Sequence, residues 1–121
     1  MDLYQANILD HYKHPRQQGK LKNPTARSEH VNPLCGDGLE IELVVEKGKV
    51  VEAGFVGEGC VLSQAGASIL LEQVIEKSVE ELKKWDKQKM LMFLNIEVGP
   101  NRLKCALLSL ECLQQALNIE K

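Results

Sequence analysis

Three cysteines and one aspartate have the types and surroundings of a metal or sulfur site: Cys35 in Leu34-Cys35-Gly36-Asp37-Gly38, Cys60 in Gly57-Glu58-Gly59-Cys60, and Cys105 in Arg102-Leu103-Lys104-Cys105. Glycines beside the first two leave backbone room for a bulky ligand, and the ammonium of Lys104 next to the third favours thiolate over thiol. Cys35 and Asp37 stand two residues apart across a glycine, so a turn there can aim both at one centre. Three thiolates and a carboxylate form a four-ligand set that suits tetrahedral zinc, or a two-iron cluster with two protein ligands on each iron. The carboxylate is the telling member. Structural zinc sites and stable electron-transfer clusters are held by cysteine, or cysteine with histidine, whereas a hard oxygen donor is a poorer match to cluster iron. Such a ligand set suits a centre that is to be given up.

The background is that of an ordinary globular chain. With 121 residues, 44% of them hydrophobic, the sequence reads as one domain over 1–121 that buries roughly two thirds of its unfolded surface without a covalent staple. A net charge of -2 and a pI near 5.9 leave no basic footprint, so the expected partners are small molecules or proteins, with no nucleic acid and no membrane. The stretch Met1 to Asn7 has no basic segment followed by an apolar one, and no apolar run nears the roughly 20 residues of a spanning helix. The expected location is cytoplasmic. In a reducing compartment, four cysteines are free thiols or metal ligands more often than a disulfide framework. Cys112, inside Ala106-Leu107-Leu108-Ser109-Leu110-Glu111-Cys112-Leu113, falls on an apolar helical stripe and reads as a small buried hydrophobe, outside the site.

The elements that must position these residues follow from periodicity. Leu3, Ile8, Leu9 and Tyr12 recur at helical spacing and stop before Pro15. From Gln17 to Pro33 the chain is polar and holds two Asn-Pro steps, which predicts an extended loop that delivers Cys35 to its tip. Leu39, Ile41, Leu43 and Val45 alternate with Glu40, Glu42 and Val44 as a half-buried strand; Lys47-Gly48-Lys49 turns the chain, and Val50 to Val56 returns. Ser63 is expected to cap a helix running to about Glu76, which places Cys60 just ahead of a helix N-terminus. Ser78 and Glu81 fit a capping box, Asp86 caps Lys87 to Leu94, and after the turn at Val98-Gly99-Pro100, Asn101 caps a last helix carrying Cys105 in its first turn.

Four motifs, in order, resemble one family. Ile8-Leu9-Asp10-His11-Tyr12 with Pro15 and Gly19, then Asn32-Pro33-Leu34-Cys35-Gly36-Asp37, then Gly57 to Ser68, then Arg102-Leu103-Lys104-Cys105-Ala106 resemble the U-type iron–sulfur cluster assembly scaffolds (IscU, SufU and the NifU N-terminal domain). The resemblance covers nearly the whole chain. It implies an α+β fold, a small, mainly antiparallel three-stranded sheet packed on one side by about five helices. It also implies that Cys35, Asp37, Cys60 and Cys105 bind zinc or a nascent [2Fe-2S] cluster, and that one of the three cysteines accepts persulfide sulfur from a cysteine desulfurase. Apo iron–sulfur proteins would be the recipients, with a chaperone or an iron or electron donor as a further partner.

Two features of the resemblance pull apart. The residue before the third cysteine is a histidine in the IscU branch, whereas Lys104 matches the SufU branch; yet the SufU branch carries an insertion of roughly twenty residues before that cysteine, for which Ser78 to Arg102 has no space. The expected activity is therefore that of a scaffold that builds and hands on a cluster, a carrier more than an enzyme. The alternative is a zinc-dependent, SufU-like sulfur acceptor, a sulfurtransferase. Arg102 is expected at the same end as Cys105, as a contact to the ligands or the desulfurase, or as a plain surface residue. His11 and His14 are read as complementing a helix dipole, His30 as solvated, Trp85 as core or rim packing, and Lys83, Lys84, Lys87 and Lys89 as a solvated face.

Overall fold

The computed structural model of the chain describes residues 6–32, 36–95 and 99–119. Helix α1 (Ala6–Lys13) leads to strands β1 (Ala26–Asn32), β2 (Asp37–Glu46) and β3 (Lys49–Glu58). Helices α2 (Val61–Val74), α3 (Val79–Lys83), α4 (Lys87–Leu94) and α5 (Pro100–Ile119) follow. The strands form one antiparallel sheet in the order β1-β2-β3. This is the expected α+β architecture. The expected loop from Gln17 to Pro33 is half strand, because Ala26, Ser28 and Asn32 turn inward at alternate positions and a polar run can still serve as an edge strand. Leu3 and Pro33 lie outside the described residues.

Alternation sets the two faces of the sheet. Leu39, Ile41 and Leu43 of β2 and Ala53 and Phe55 of β3 are buried with residues of α2 and α5, which cover that face. The other face was expected to be solvated, yet Glu40 and Glu42 are also buried. The segment leading into β1, together with Arg27 of β1 itself, partners them: Lys20 Nζ meets Glu40 Oε1 at 2.6 Å, the Leu21 amide donates to Glu42 Oε1 at 2.8 Å, and Arg27 Nε donates to Glu40 Oε2. Buried carboxylates need such partners. β3 is also tied along its outer edge, where Phe55 N–H donates to Gln17 O and Gly19 N–H donates to Phe55 O.

Caps fix the helices. Ser78 Oγ accepts from Glu81 N–H and Asp86 Oδ1 from Lys89 N–H, as the sequence predicts. Two expectations are corrected: α2 begins at Val61 with Cys60 as its cap, so Ser63 lies inside the helix, and α5 begins at Pro100, so Asn101 is in the first turn. Proline is well suited to a first helical position, where its missing N–H is not needed. α2 ends at Val74, short of Glu76. Trp85 is buried and meets Phe93 edge to face, and Lys89 is drawn over both rings, so the lysine face is only partly a solvated one.

His11 docks α1 onto α2. It is buried, its Nδ1 lies 2.7 Å from Ser68 Oγ, and that oxygen also accepts the Arg16 amide at 2.8 Å. The expected dipole role gives way to this buried contact. Burial lowers the pKa of His11 and Arg16 lowers it further, against the opposing pull of Glu72 and Asp10. The unfolded chain therefore takes up the proton more readily, so this contribution to stability is complete above the ordinary value of 6.5 and is lost as pH falls through it. Thermal unfolding followed by circular dichroism should show a midpoint that drops between about pH 7 and pH 5, with a visibly shallower drop in His11→Gln.

Candidate metal centre

Asp37 opens β2, Cys60 follows β3 and caps α2, and Cys105 lies in the second turn of α5. The fold brings these three to one end of the sheet, with one ligand atom from each lying within 4.8 Å of the others. Cys35 and the two residues before it lie outside the described residues, so the structure places three of the four expected ligands. Asp37 is 1% exposed and Cys105 9%, while Cys60 is half-buried. Among these three residues, Cys60 is the one most open to solvent.

One bond organises the cluster. The Cys60 amide donates to Asp37 Oδ1 at 2.8 Å, and the Cys60 thiol donates to Asp37 Oδ2 at 3.5 Å. The Cys60 sulfur also accepts from the Ser63 amide at 3.4 Å, so it takes the place usually held by a serine or aspartate oxygen at a helix start. The Ser63 hydroxyl donates to Cys60 O, and Gln64 Nε2 donates to the Ser63 hydroxyl. The buried Ser63 is thus part of the support for the cysteine, a role that a reading of it as a cap missed.

The donors fit a soft metal with one hard ligand. In a tetrahedral zinc site with bonds of about 2.0–2.3 Å, neighbouring ligand atoms stand roughly 3.3–3.8 Å apart, so a modest contraction of this cluster would complete the shell. The Cys60 and Asp37 atoms are already at 3.5 Å. Ligation requires the thiol protons to leave, which breaks the thiol-to-carboxylate bond and leaves both atoms turned toward the same point.

Lys104 and Arg102 are both exposed. Lys104 lines a cleft against β1 with His30, Val31, Asn32, Leu108 and Glu111. His30, expected to be solvated, is half-buried there, with Nδ1 3.2 Å from Gln115 Oε1 and Nε2 3.4 Å from Glu111 Oε1. Cys112 is fully buried, its thiol donates to Ser28 O and Leu39 O, and burial pushes its pKa up to about 11.

A three-stranded sheet under helices, with two thiols and a carboxylate gathered at one end, defines a class of small α+β domains built around a mixed sulfur and oxygen ligand set. The chain belongs to the family described as the NifU-like N terminal domain, whose model matches residues 3–119. It is 35% identical to the iron–sulfur cluster assembly scaffold protein IscU of Thermotoga maritima over 95% of this chain and 92% of that protein. With the zinc-dependent sulfurtransferase SufU of Bacillus subtilis the identity is 32%, over 98% and 92%. Both alignments, of 131 and 136 residues, are longer than this chain, so each relative carries residues that it lacks. A crystal structure described as a putative iron–sulfur cluster assembly scaffold protein for the SUF system of Fervidobacterium islandicum superposes with a TM-score of 0.82 at 29% identity, covering 95% of this chain and 96% of that one.

Gly59 has to be glycine for this geometry. Its φ is +139°, and a Cβ there would overlap Asp37 Oδ1 and stand 2.7 Å from Asp37 Cγ. Gly59→Ala should lower stability by about 1–3 kcal/mol in denaturant titrations. By moving a ligand's immediate support, it should also weaken Zn²⁺ binding roughly tenfold in competition with a chromogenic chelator. Alkylation with iodoacetamide followed by mass spectrometry should label Cys60 in the folded protein and Cys112 only after denaturation, since a buried thiol held neutral is a poor nucleophile.

Proposed function

We propose that the protein is an iron–sulfur cluster assembly scaffold: it receives sulfur from a cysteine desulfurase, holds iron and sulfide as a labile [2Fe-2S] cluster, and passes that cargo to apo-proteins. The observation that carries this reading is the convergence of Asp37, Cys60 and Cys105 at one end of the fold, in a chain whose relatives include named scaffolds. Cys35, two residues before Asp37 in the sequence, is assigned as the fourth ligand. Arg102 and Lys104 stand on the same helix as Cys105 and are assigned to the rim of the site.

The residues divide the work. Among Asp37, Cys60 and Cys105, the half-buried Cys60 is the group a donor can approach. Its thiolate would attack the outer sulfur of the donor's persulfide; the donor's S–S bond breaks, and the donor leaves as a thiolate. The sulfur so received becomes sulfide only after taking two electrons from an external reductant. Asp37, held by the Cys60 amide, keeps an oxygen donor beside the thiols, and that weaker match to iron eases release of the cargo.

Anaerobic incubation with ferrous iron, cysteine, a desulfurase and a dithiol reductant should develop the visible absorbance of a [2Fe-2S] cluster that then moves to an apo-ferredoxin. Asp37→Cys should keep the absorbance and slow the transfer several-fold. A protein that retains zinc, stimulates the desulfurase and never develops cluster absorbance would overturn the scaffold reading in favour of sulfur transfer alone. Unchanged metal content in Cys35→Ser, Cys60→Ser and Cys105→Ser would overturn both.

A further inference from the structure

The sheet has one edge tied down and one edge that, among the described residues, is left open. On β3, Phe55 directs both backbone groups outward to Gln17 and Gly19. Ile41, its partner on β2, must then bond toward Ser28 on β1, because backbone groups of an antiparallel strand alternate sides. Ser28, His30 and Asn32 thus bond inward, and Arg27, Glu29 and Val31 present their N–H and C=O groups to the outside. Among the described residues none of these three makes a further backbone hydrogen bond. Val31 is 57% exposed, an unusual place for a large aliphatic side chain at a strand edge.

Beside this edge runs the cleft between β1 and α5, about 200 Å³ in volume. α5 is antiparallel to β1, with Lys104 alongside Asn32 and Cys112 against Ser28. Lys104, Leu108 and Glu111 therefore give the cleft a cation at the end nearest Cys105, an apolar floor and an anion at the far end. Glu111 keeps more than half of its side chain exposed while its carboxylate faces His30, and Lys104 has no ion pair among the described residues. Lys104 to Leu108 rises about 6 Å along the helix and Leu108 to Glu111 about 4.5 Å, against about 6.6–6.8 Å for alternate residues of a strand, and a long basic side chain spans the difference at the Glu111 end.

We propose that this cleft is a docking groove for an extended segment of a partner protein, added to β1 as a fourth, antiparallel strand with the pattern acidic-x-apolar-x-basic. The acidic residue lies opposite Asn32 and meets Lys104, the apolar residue lies opposite His30 above Leu108, and the basic residue lies opposite Ser28 and meets Glu111. The two intervening residues exchange backbone bonds with Val31 and Glu29. Main-chain bonds supply affinity in this mode, and alternate side chains supply the choice of partner. Docking here would lay the partner's segment beside the end of the sheet that holds Asp37, Cys60 and Cys105.

The probe is a fluorescein-labelled peptide, Gly-Asp-Val-Leu-Thr-Arg-Gly, added to the whole protein. Saturable binding by anisotropy is expected, with amide hydrogen exchange at Glu29 and Val31 slowed about tenfold. Val31→Pro should abolish binding by removing an outward N–H, and Glu111→Lys should weaken it about fivefold. A peptide N-methylated at its valine and threonine amides should not bind, a comparison that leaves the protein native whatever the proline does to folding. Absence of saturable binding, unchanged exchange at Glu29 and Val31, or equal binding of the N-methylated peptide would overturn the proposal.

Discussion

The hydrogen bond from the Cys60 amide to Asp37 Oδ1 is the constraint around which the functional end is built. Asp37 opens the central strand and Cys60 closes the excursion from the outer strand into α2, so the bond ties the start of the central strand to a helix start. It helps to orient a buried carboxylate, and buried carboxylates are costly without donors. It also leaves no room beside it, which is why the chain passes Asp37 on a glycine in a backbone conformation that other residues resist. Ligand, cap and turn are thus settled by the same few atoms.

The residues that the fold gathers, Asp37, Cys60 and Cys105, could be picked out from residue type and local pattern alone. Thiols flanked by glycines, and an aspartate two residues from one of them, are uncommon enough to single out. What the sequence could not convey was depth: Asp37 and Cys105 are covered by elements far away in the chain, and coverage is a property of packing. The helix cap shows the same limit. A serine three residues into a helix looks like a cap, and only the fold reveals that the sulfur before it has taken that position and drawn the serine amide to itself.

Elsewhere, local pattern gave the strands of the hairpin and most helix ends, because alternation and capping are carried by neighbours in sequence. The edge strand was missed since Ala26 to Asn32 holds few of the branched residues that advertise strands, and its inward positions are filled by alanine, serine and asparagine. His11 and the pair Glu40 and Glu42 were misjudged for a shared reason. Their partners, Ser68 for one and Lys20, Arg27 and the Leu21 amide for the others, are remote, and a polar residue with a remote partner looks solvated until the chain is folded.

Cys105 and Cys112 are seven residues apart on α5, so they project from nearly the same side of the helix, two turns removed. The lower thiol is locked against carbonyls of β1 and β2. A helix slipped by a single residue would swing about 100° and carry the upper thiol out of line with Asp37 and Cys60. The buried Cys112 thus acts as a key in a slot: it sets the bearing of the helix and with it the direction in which the Cys105 sulfur points.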